Sequence, residues 1–77
     1  METILAITNS TDCTIKLIEC KTNKEAIELL KSTYEKLCKK TNYDMHNTFC
    51  DEESGYAQIV SGLKQTELRI GHCQQYK

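Results

Sequence analysis

The spacing of apolar and polar residues along the first half of the chain changes from that of strands to that of a helix. Residues 3–8 (TILAIT) and 13–20 (CTIKLIEC) are dominated by β-branched and apolar side chains, and the turn-forming NSTD between them predicts a hairpin. From Thr22 to Asn42 apolar residues recur every three or four positions, which is typical of an amphipathic helix. Thr22 with Glu25 matches a capping box and marks its start.

The second half returns to strand-like spacing. YAQIV (56–60) and TELRIGHC (66–73) are predicted to form a second hairpin through a turn at residues 61–64. The predicted order is therefore β-β-α-β-β over a single domain, residues 1–77. One helix can cover only one face of a sheet, so we expect a two-layer α+β fold with a four-stranded, mainly antiparallel sheet.

The two hairpins differ in how clearly they predict an inward face. In the second hairpin the inward set is Ala57, Ile59, Leu68 and Ile70. In the first hairpin both faces of the opening strand are apolar, and we assign Ile4 and Ala6, with Ile15 and Leu17, to the side under the helix. This assignment leaves an apolar set on the opposite face, which we expect to be a protein interface: Leu5, Ile7, Ile18, Tyr56 and Val60. The alternative is a register or bulge that turns some of them inward, together with cover from the segment that contains Tyr43, Met45 and Phe49.

Composition narrows the class of protein. The chain has 77 residues, a net charge of −1, 39% hydrophobic and 27% charged residues, as expected for a small globular domain with no marked preference for polyanions. Its first residues lack the positive charge and long apolar run of a signal peptide, and its five cysteines are an odd number, so we expect a cytoplasmic protein with reduced thiols. Its many lysines and isoleucines indicate an AT-rich genome, such as that of a low-GC bacterium or its phage.

The segment MHNTFCDEES (45–54) holds the candidate chemistry. His46 and Cys50 have the spacing of half a zinc site, which Cys73 or His72 would have to complete, with Cys13 as a further candidate ligand. The same cysteine could instead be a nucleophile, but its acidic neighbours work against a thiolate. We therefore predict no metal, no cofactor and no catalytic residue, and expect residues 42–54 to be a connection anchored by Phe49, with His46 and Asp51 to Glu53 at the surface. The lysines near the end of the helix fit its dipole and do not favour nucleic acid.

The sequence predicts a non-enzymatic protein-binding or regulatory module that forms a homodimer or docks onto another protein, with no membrane segment. Short single-domain proteins of phages and mobile elements often act as stoichiometric inhibitors of host machinery, such as defence nucleases, and this chain fits that class by analogy. The alternatives are a zinc- or thiol-site protein and a small enzyme.

Overall fold

The computed structural model describes the backbone of residues 2–73 and the side chains of residues 3–71. Within that range one helix follows two strands and precedes three more. In chain order the elements are β1 (Glu2–Asn9), β2 (Thr14–Cys20), α1 (Asn23–Lys40), β3 (Phe49–Asp51), β4 (Tyr56–Ser61) and β5 (Lys64–Cys73).

The ends of α1 are set by local hydrogen bonds. The Oγ1 of Thr22, whose backbone is extended, accepts a hydrogen bond of 3.1 Å from the backbone N–H of Glu25, which satisfies one of the free amides of the first turn and confirms the predicted start. After Lys40 the backbone becomes extended at Thr41, and its Oγ1 donates a hydrogen bond of 2.9 Å to the carbonyl of Leu37. The helix is therefore terminated at both ends by threonine hydroxyls.

The strands form one antiparallel sheet with the spatial order β2-β1-β5-β4-β3. The strand β5 lies in the middle and pairs with β1 along Glu2 to Asn9 on one side and with β4 on the other. The pairing of β1 with β2 runs without a bulge from Thr3–Cys20 to Asn9–Thr14. The helix packs on one face of the sheet, against β4, β1 and β5 and less extensively against β2.

The predicted α+β class and the single helix on one face are confirmed, but the prediction of four strands in the order β-β-α-β-β is wrong. The additional strand, β3, has three residues inside the segment expected to be a connection. Three residues are too few to show an alternating pattern, and β3 is defined by its pairing with β4.

The core lies between α1 and the sheet. Leu5, Leu30 and Leu68 are its largest fully buried side chains, and Ala57 and Ile59 complete the buried cluster. Further apolar side chains pack around this cluster from the strands and the helix: Ile7, Ile18, Leu29, Tyr34, Leu37, Cys38, Cys50 and Ile70. The predicted inward set of the second hairpin is therefore confirmed.

The predicted facing of the first hairpin is wrong. Leu5 is opposite Ile18 on β2 and Ile70 on β5, and all three side chains lie under the helix. Residues directly opposite each other in antiparallel strands share a face, so Ile4 and Ala6 project to the side away from α1. Once the inward residues of β5 are known, pairing with that strand fixes the orientation of β1.

Candidate functional site

The face of the sheet away from α1, here called the open face, carries the candidate site. Its members alternate along each strand with residues that pack under the helix. From one edge of the sheet to the other they are Ile15, Leu17 and Glu19 on β2, Ile4, Ala6 and Thr8 on β1, Gln65, Glu67 and Arg69 on β5, Tyr56, Gln58 and Val60 on β4, and Phe49 and Asp51 on β3.

Aliphatic side chains cover the β1–β2 end of the open face. Ile15 and Leu17 are 70% and 64% exposed, although both belong to a regular strand. Leu17 is directly opposite Ala6, and Ile4 lies diagonally from it on β1, within the reach of large side chains. The structure therefore presents a continuous aliphatic patch to solvent, which is a feature of interaction surfaces.

A cavity of about 400 Å³ adjoins this patch. Open-face residues Thr8, Ile15, Gln65 and Glu67 form part of its lining, and the β1–β2 turn closes one side near Cys13. The backbone of Cys13 has φ of 54°, a left-handed conformation that is uncommon for a residue with a Cβ. The open face is thus concave beside Ile15, and the side chain of Leu17 is exposed next to this cavity.

Two aromatic side chains mark the opposite, β3–β4 end. The ring centroids of Phe49 and Tyr56 are 5.7 Å apart with planes tilted by 46°, an arrangement that favours aromatic contact. Phe49 is 46% exposed. It lies on the open face and does not anchor the connection from residue 42 to 54, so that prediction is wrong.

Hydrogen bonds to β4, and not the side chain of Phe49, anchor the connection between α1 and β4. The N–H of Val60 donates to Thr48 Oγ1 at 3.0 Å, and the N–H of Asp44 donates to the Val60 carbonyl at 2.7 Å. Hydrogen bonds from Asn47 and from the backbone N–H of His46 lower the pKa of Asp44. His46 and the three acids Asp51 to Glu53 are exposed, as the sequence predicted.

Polar side chains occupy the centre of the open face. The Arg69 guanidinium lies 5.2 Å from the centroid of the Tyr56 ring, within range of a cation–π contact. Gln65 Nε2 donates to Gln58 Oε1 at 3.2 Å and to Glu67 Oε1 at 3.0 Å. Burial, followed by the nearby Glu67 carboxylate, raises the pKa of Tyr56, so this tyrosine is a neutral hydrogen-bond donor near pH 7.

Arg69 and Glu67 lie two residues apart on β5 with opposite charges, and among the side chains of residues 3–71 neither is in an ion pair. Within the part of the chain that the structure describes, the one ion pair joins Lys31 Nζ to Glu52 Oε1 at 3.1 Å, on the other side of the sheet. The open face of β5 therefore presents one positive and one negative side chain that make no direct ionic contact with another described side chain.

The structure places the predicted interface residues on two different faces. Tyr56 and Val60 lie on the open face, whereas Leu5, Ile7 and Ile18 pack in the core under α1. Their assignment to the open face is wrong because the pairing of β1 with β5 sets Leu5 and Ile7 level with the core residues Ile70 and Leu68, and Ile18 is opposite Leu5. Four open-face residues, Ile4, Ala6, Ile15 and Leu17, were instead predicted to be core.

The sequence does contain evidence for which side of β1 lies under the helix. The strand β5 alternates Glu67 and Arg69 with Leu68 and Ile70, so its inward side is unambiguous. Pairing β1 with this strand in the observed register places Leu5 and Ile7 on the same inward side. The apolar pattern of the sequence does not show that β1 pairs with β5.

The thiol of Cys50 lies on the helix side of β3 and packs against the core. It lines a cavity of about 140 Å³ with Lys31, Tyr34, Glu35 and Glu52. Burial and the charge of Glu52 raise the pKa of this thiol, and Lys31 opposes them only in part. The protonated form therefore dominates at neutral pH, which disfavours nucleophilic attack.

A second thiol lies near the same cavity. Burial, and then the Cys38 thiol one turn along the helix, raise the pKa of Tyr34 to about 12. Cys38 itself is half-buried and free. Both residues pack against the core, so one side of Cys50 is apolar and the other faces the Lys31–Glu52 ion pair, in which Lys31 is already neutralised.

The sheet separates the residues considered for zinc. His72 and Cys73 pair with the start of β1 and lie at least four residues along β5 from Leu68. Cys50 is on β3, level with Leu68 but two strands away from it. Strand spacing and rise then place these backbone positions on the order of 16 Å apart. Cys13 lies in the β1–β2 turn, at the end of the strands opposite to the end that holds His72 and Cys73. The side chains of residues 72 and 73 are outside the described set. Among those described, no three His, Cys, Asp or Glu side chains are grouped to hold a metal ion.

Comparisons with known proteins leave the fold and the open face as the main guides to function. Between residues 2 and 73 no helix is both long and apolar enough to cross a membrane. No family model matches the chain, and neither the curated proteins nor the solved structures include one that matches it.

Proposed function

We propose that this chain is a non-enzymatic protein-binding domain whose contact surface is the open face. The observation that carries the proposal is the exposure of Ile15 and Leu17 on a regular strand, where they form an aliphatic patch with Ile4 and Ala6. Apolar side chains in a strand are normally covered, and a contiguous exposed set marks an interaction site.

Further properties of the open face support binding to a protein. Aromatic and arginine side chains are enriched where proteins bind each other, and Phe49, Tyr56 and Arg69 lie together on this face. The cavity beside Ile15 offers a hole for a protruding side chain.

The proposal is tested with Leu17→Lys, which places a charge in the aliphatic patch. The variant keeps the fold because Leu17 is largely exposed. Wild type and variant are compared as baits in lysate of the source cells, and co-retained proteins are quantified by mass spectrometry. We expect a stoichiometric partner to be retained by the wild type and lost with the variant.

Leu63→Lys is the matched control. Leu63 is fully exposed in the β4–β5 turn, outside the open face, so the same substitution there should leave binding unchanged. Equal retention of the same partners by all three proteins would show that the open face is not the contact surface.

A further inference from the structure

We propose that the occupant of the open face is a second copy of this chain, packed face to face about a two-fold axis that crosses the strands near Leu68. The inference rests on the proposed function, because it uses the same face, and it specifies the partner. Three features support it: the charges on β5, the shapes of the two halves of the face, and its area.

The charge pattern is self-complementary. In an isologous pair each side chain meets the symmetry-related surface. An axis across the strands at Leu68 exchanges the positions on either side of it, so Glu67 of one copy faces Arg69 of the other, twice. These are opposite charges on the same face of the central strand, and neither is in an ion pair within the described part of the chain. An axis along the strands would instead place like charges together.

The central position of β5 keeps the Glu67–Arg69 pairs of the two copies aligned. Two packed sheets cross at about 30°. Side chains on the outer strands are therefore displaced from the symmetry-related residues, whereas those on the middle strand stay opposite them. β5 is the middle strand of five. Complementary charges there fix the orientation of the two copies, which is the usual contribution of interfacial ion pairs.

The parts of the open face on either side of the axis also have complementary shapes. Leu68 is level with Ile7 on β1, and Ile7 is level with Lys16 on β2. The same axis therefore brings Leu17 of one copy near Ile15 of the other, with a displacement along the strand that the crossing of the two sheets introduces. Ile15 borders the cavity of about 400 Å³ that Thr8 and Glu67 also line, so the exposed leucine of each copy is directed towards the concave part of its partner.

The size of the face is adequate for a dimer. Five strands about 4.8 Å apart, with an average of about six paired residues that rise 3.3 Å each, present a rectangle of roughly 450 Å². The accessible surface of side chains exceeds this projected area, and a standard interface uses about 800 Å² per partner. Face-to-face packing exploits the whole rectangle, whereas pairing through the β2 edge alone would bury much less.

Charge reversal tests the inference. The wild type should sediment as a dimer, with twice the 8.9 kDa chain mass, at about 100 μM, since interfaces of this size bind at micromolar concentration or tighter. Glu67→Arg and Arg69→Glu each place like charges together in both symmetric pairs, so each should weaken dimerisation at least about 100-fold.

Mixing the two variants provides the decisive measurement. A heterodimer of Glu67→Arg with Arg69→Glu restores opposite charges in both pairs, so the mixture should dimerise although each variant alone does not. The double variant, which exchanges the two charges within one chain, should also dimerise. Glu28→Arg and Lys36→Glu, on exposed positions of α1, are controls of equal charge change that should leave the dimer intact.

The outcomes separate the two proposals. A wild type that remains monomeric at about 500 μM, well above micromolar affinity, overturns the self-association inference, and the proposed function then depends on the Leu17→Lys binding experiment. A dimer that withstands both charge reversals also overturns it, and indicates another contact such as edge pairing through β2. Loss with each variant and recovery in the mixture support it.

Discussion

Replacing Leu5 and Leu17 separately with alanine measures which face of the first hairpin forms the core. The two residues have the same side chain and belong to paired strands, but Leu5 is fully buried under α1 and Leu17 is mostly exposed. The comparison therefore holds the chemistry of the substitution constant and changes only the burial.

The expected costs differ several-fold. Truncating a fully buried leucine removes its transfer free energy and leaves a cavity, so Leu5→Ala should lower the free energy of unfolding by about 2–5 kcal/mol. A domain of this length is stable by about 4–12 kcal/mol, so the loss is a large part of the total. Leu17 has roughly a third of its surface covered, and its truncation should cost less than about 1 kcal/mol.

The assay is urea unfolding followed by far-ultraviolet circular dichroism, with the slope of the free energy against urea compared between variants. Association would add stability by mass action, so each transition is measured at several protein concentrations and the lowest is used for comparison. A larger loss for Leu17→Ala than for Leu5→Ala at that concentration would show that the helix covers the other face, and would refute the assignment of the open face.

Other perturbations test local features of the fold. Gly55→Ala should destabilise by about 1–3 kcal/mol, because its φ is 68° and a new Cβ would lie 3.1 Å from the Ile70 Cβ, whereas Gly62→Ala, with φ of 62° and open space, should cost only the backbone term of about 1–2 kcal/mol; equal losses in urea unfolding would contradict the close contact. Burial raises the pKa of Tyr34 to about 12 from an unfolded value near 10, so its contribution to stability is complete below about pH 10 and is lost as the pH rises through about 12. Melting temperatures from pH 8 to 12 should show a smaller alkaline decline in Tyr34→Phe than in wild type, and identical profiles would argue against this role. Thr22→Ala should cost about 1 kcal/mol by removing the helix cap, and Thr22→Ser should restore most of it; a loss that serine does not reduce would assign the effect to something other than the hydroxyl.

The helix could be predicted from the sequence because its determinants are local. The three- and four-residue spacing of apolar positions and the Thr22–Glu25 hydrogen bond both act within a few residues, so a window of the sequence contains them. The second hairpin was predictable for a similar reason, since its last strand alternates Glu67 and Arg69 with Leu68 and Ile70 and so shows which side faces the core.

The open face was not predictable by the same means. Both sides of β1 are apolar, and its orientation follows from pairing with β5, more than fifty residues away in the sequence. Apolar periodicity alone cannot choose between two apolar faces. The short strand β3 was missed because its pairing with β4 defines it and its own residues do not.

The position of β5 in the middle of the sheet has a consequence for how the chain folds. β1 and β2 can pair as a local hairpin, and β3 can pair with β4, but these two pairs are joined to each other only through β5. Among the described strands β5 is the last to be synthesised, and its pairing with β1 must close a loop of most of the chain. Topologies dominated by such distant contacts fold slowly, because the entropy of loop closure is lost before the contacts form. Since neither pair of strands has a complete core without β5, the helix and sheet should form together in one cooperative step, and a nascent chain that lacks this strand should be susceptible to proteolysis along its whole length.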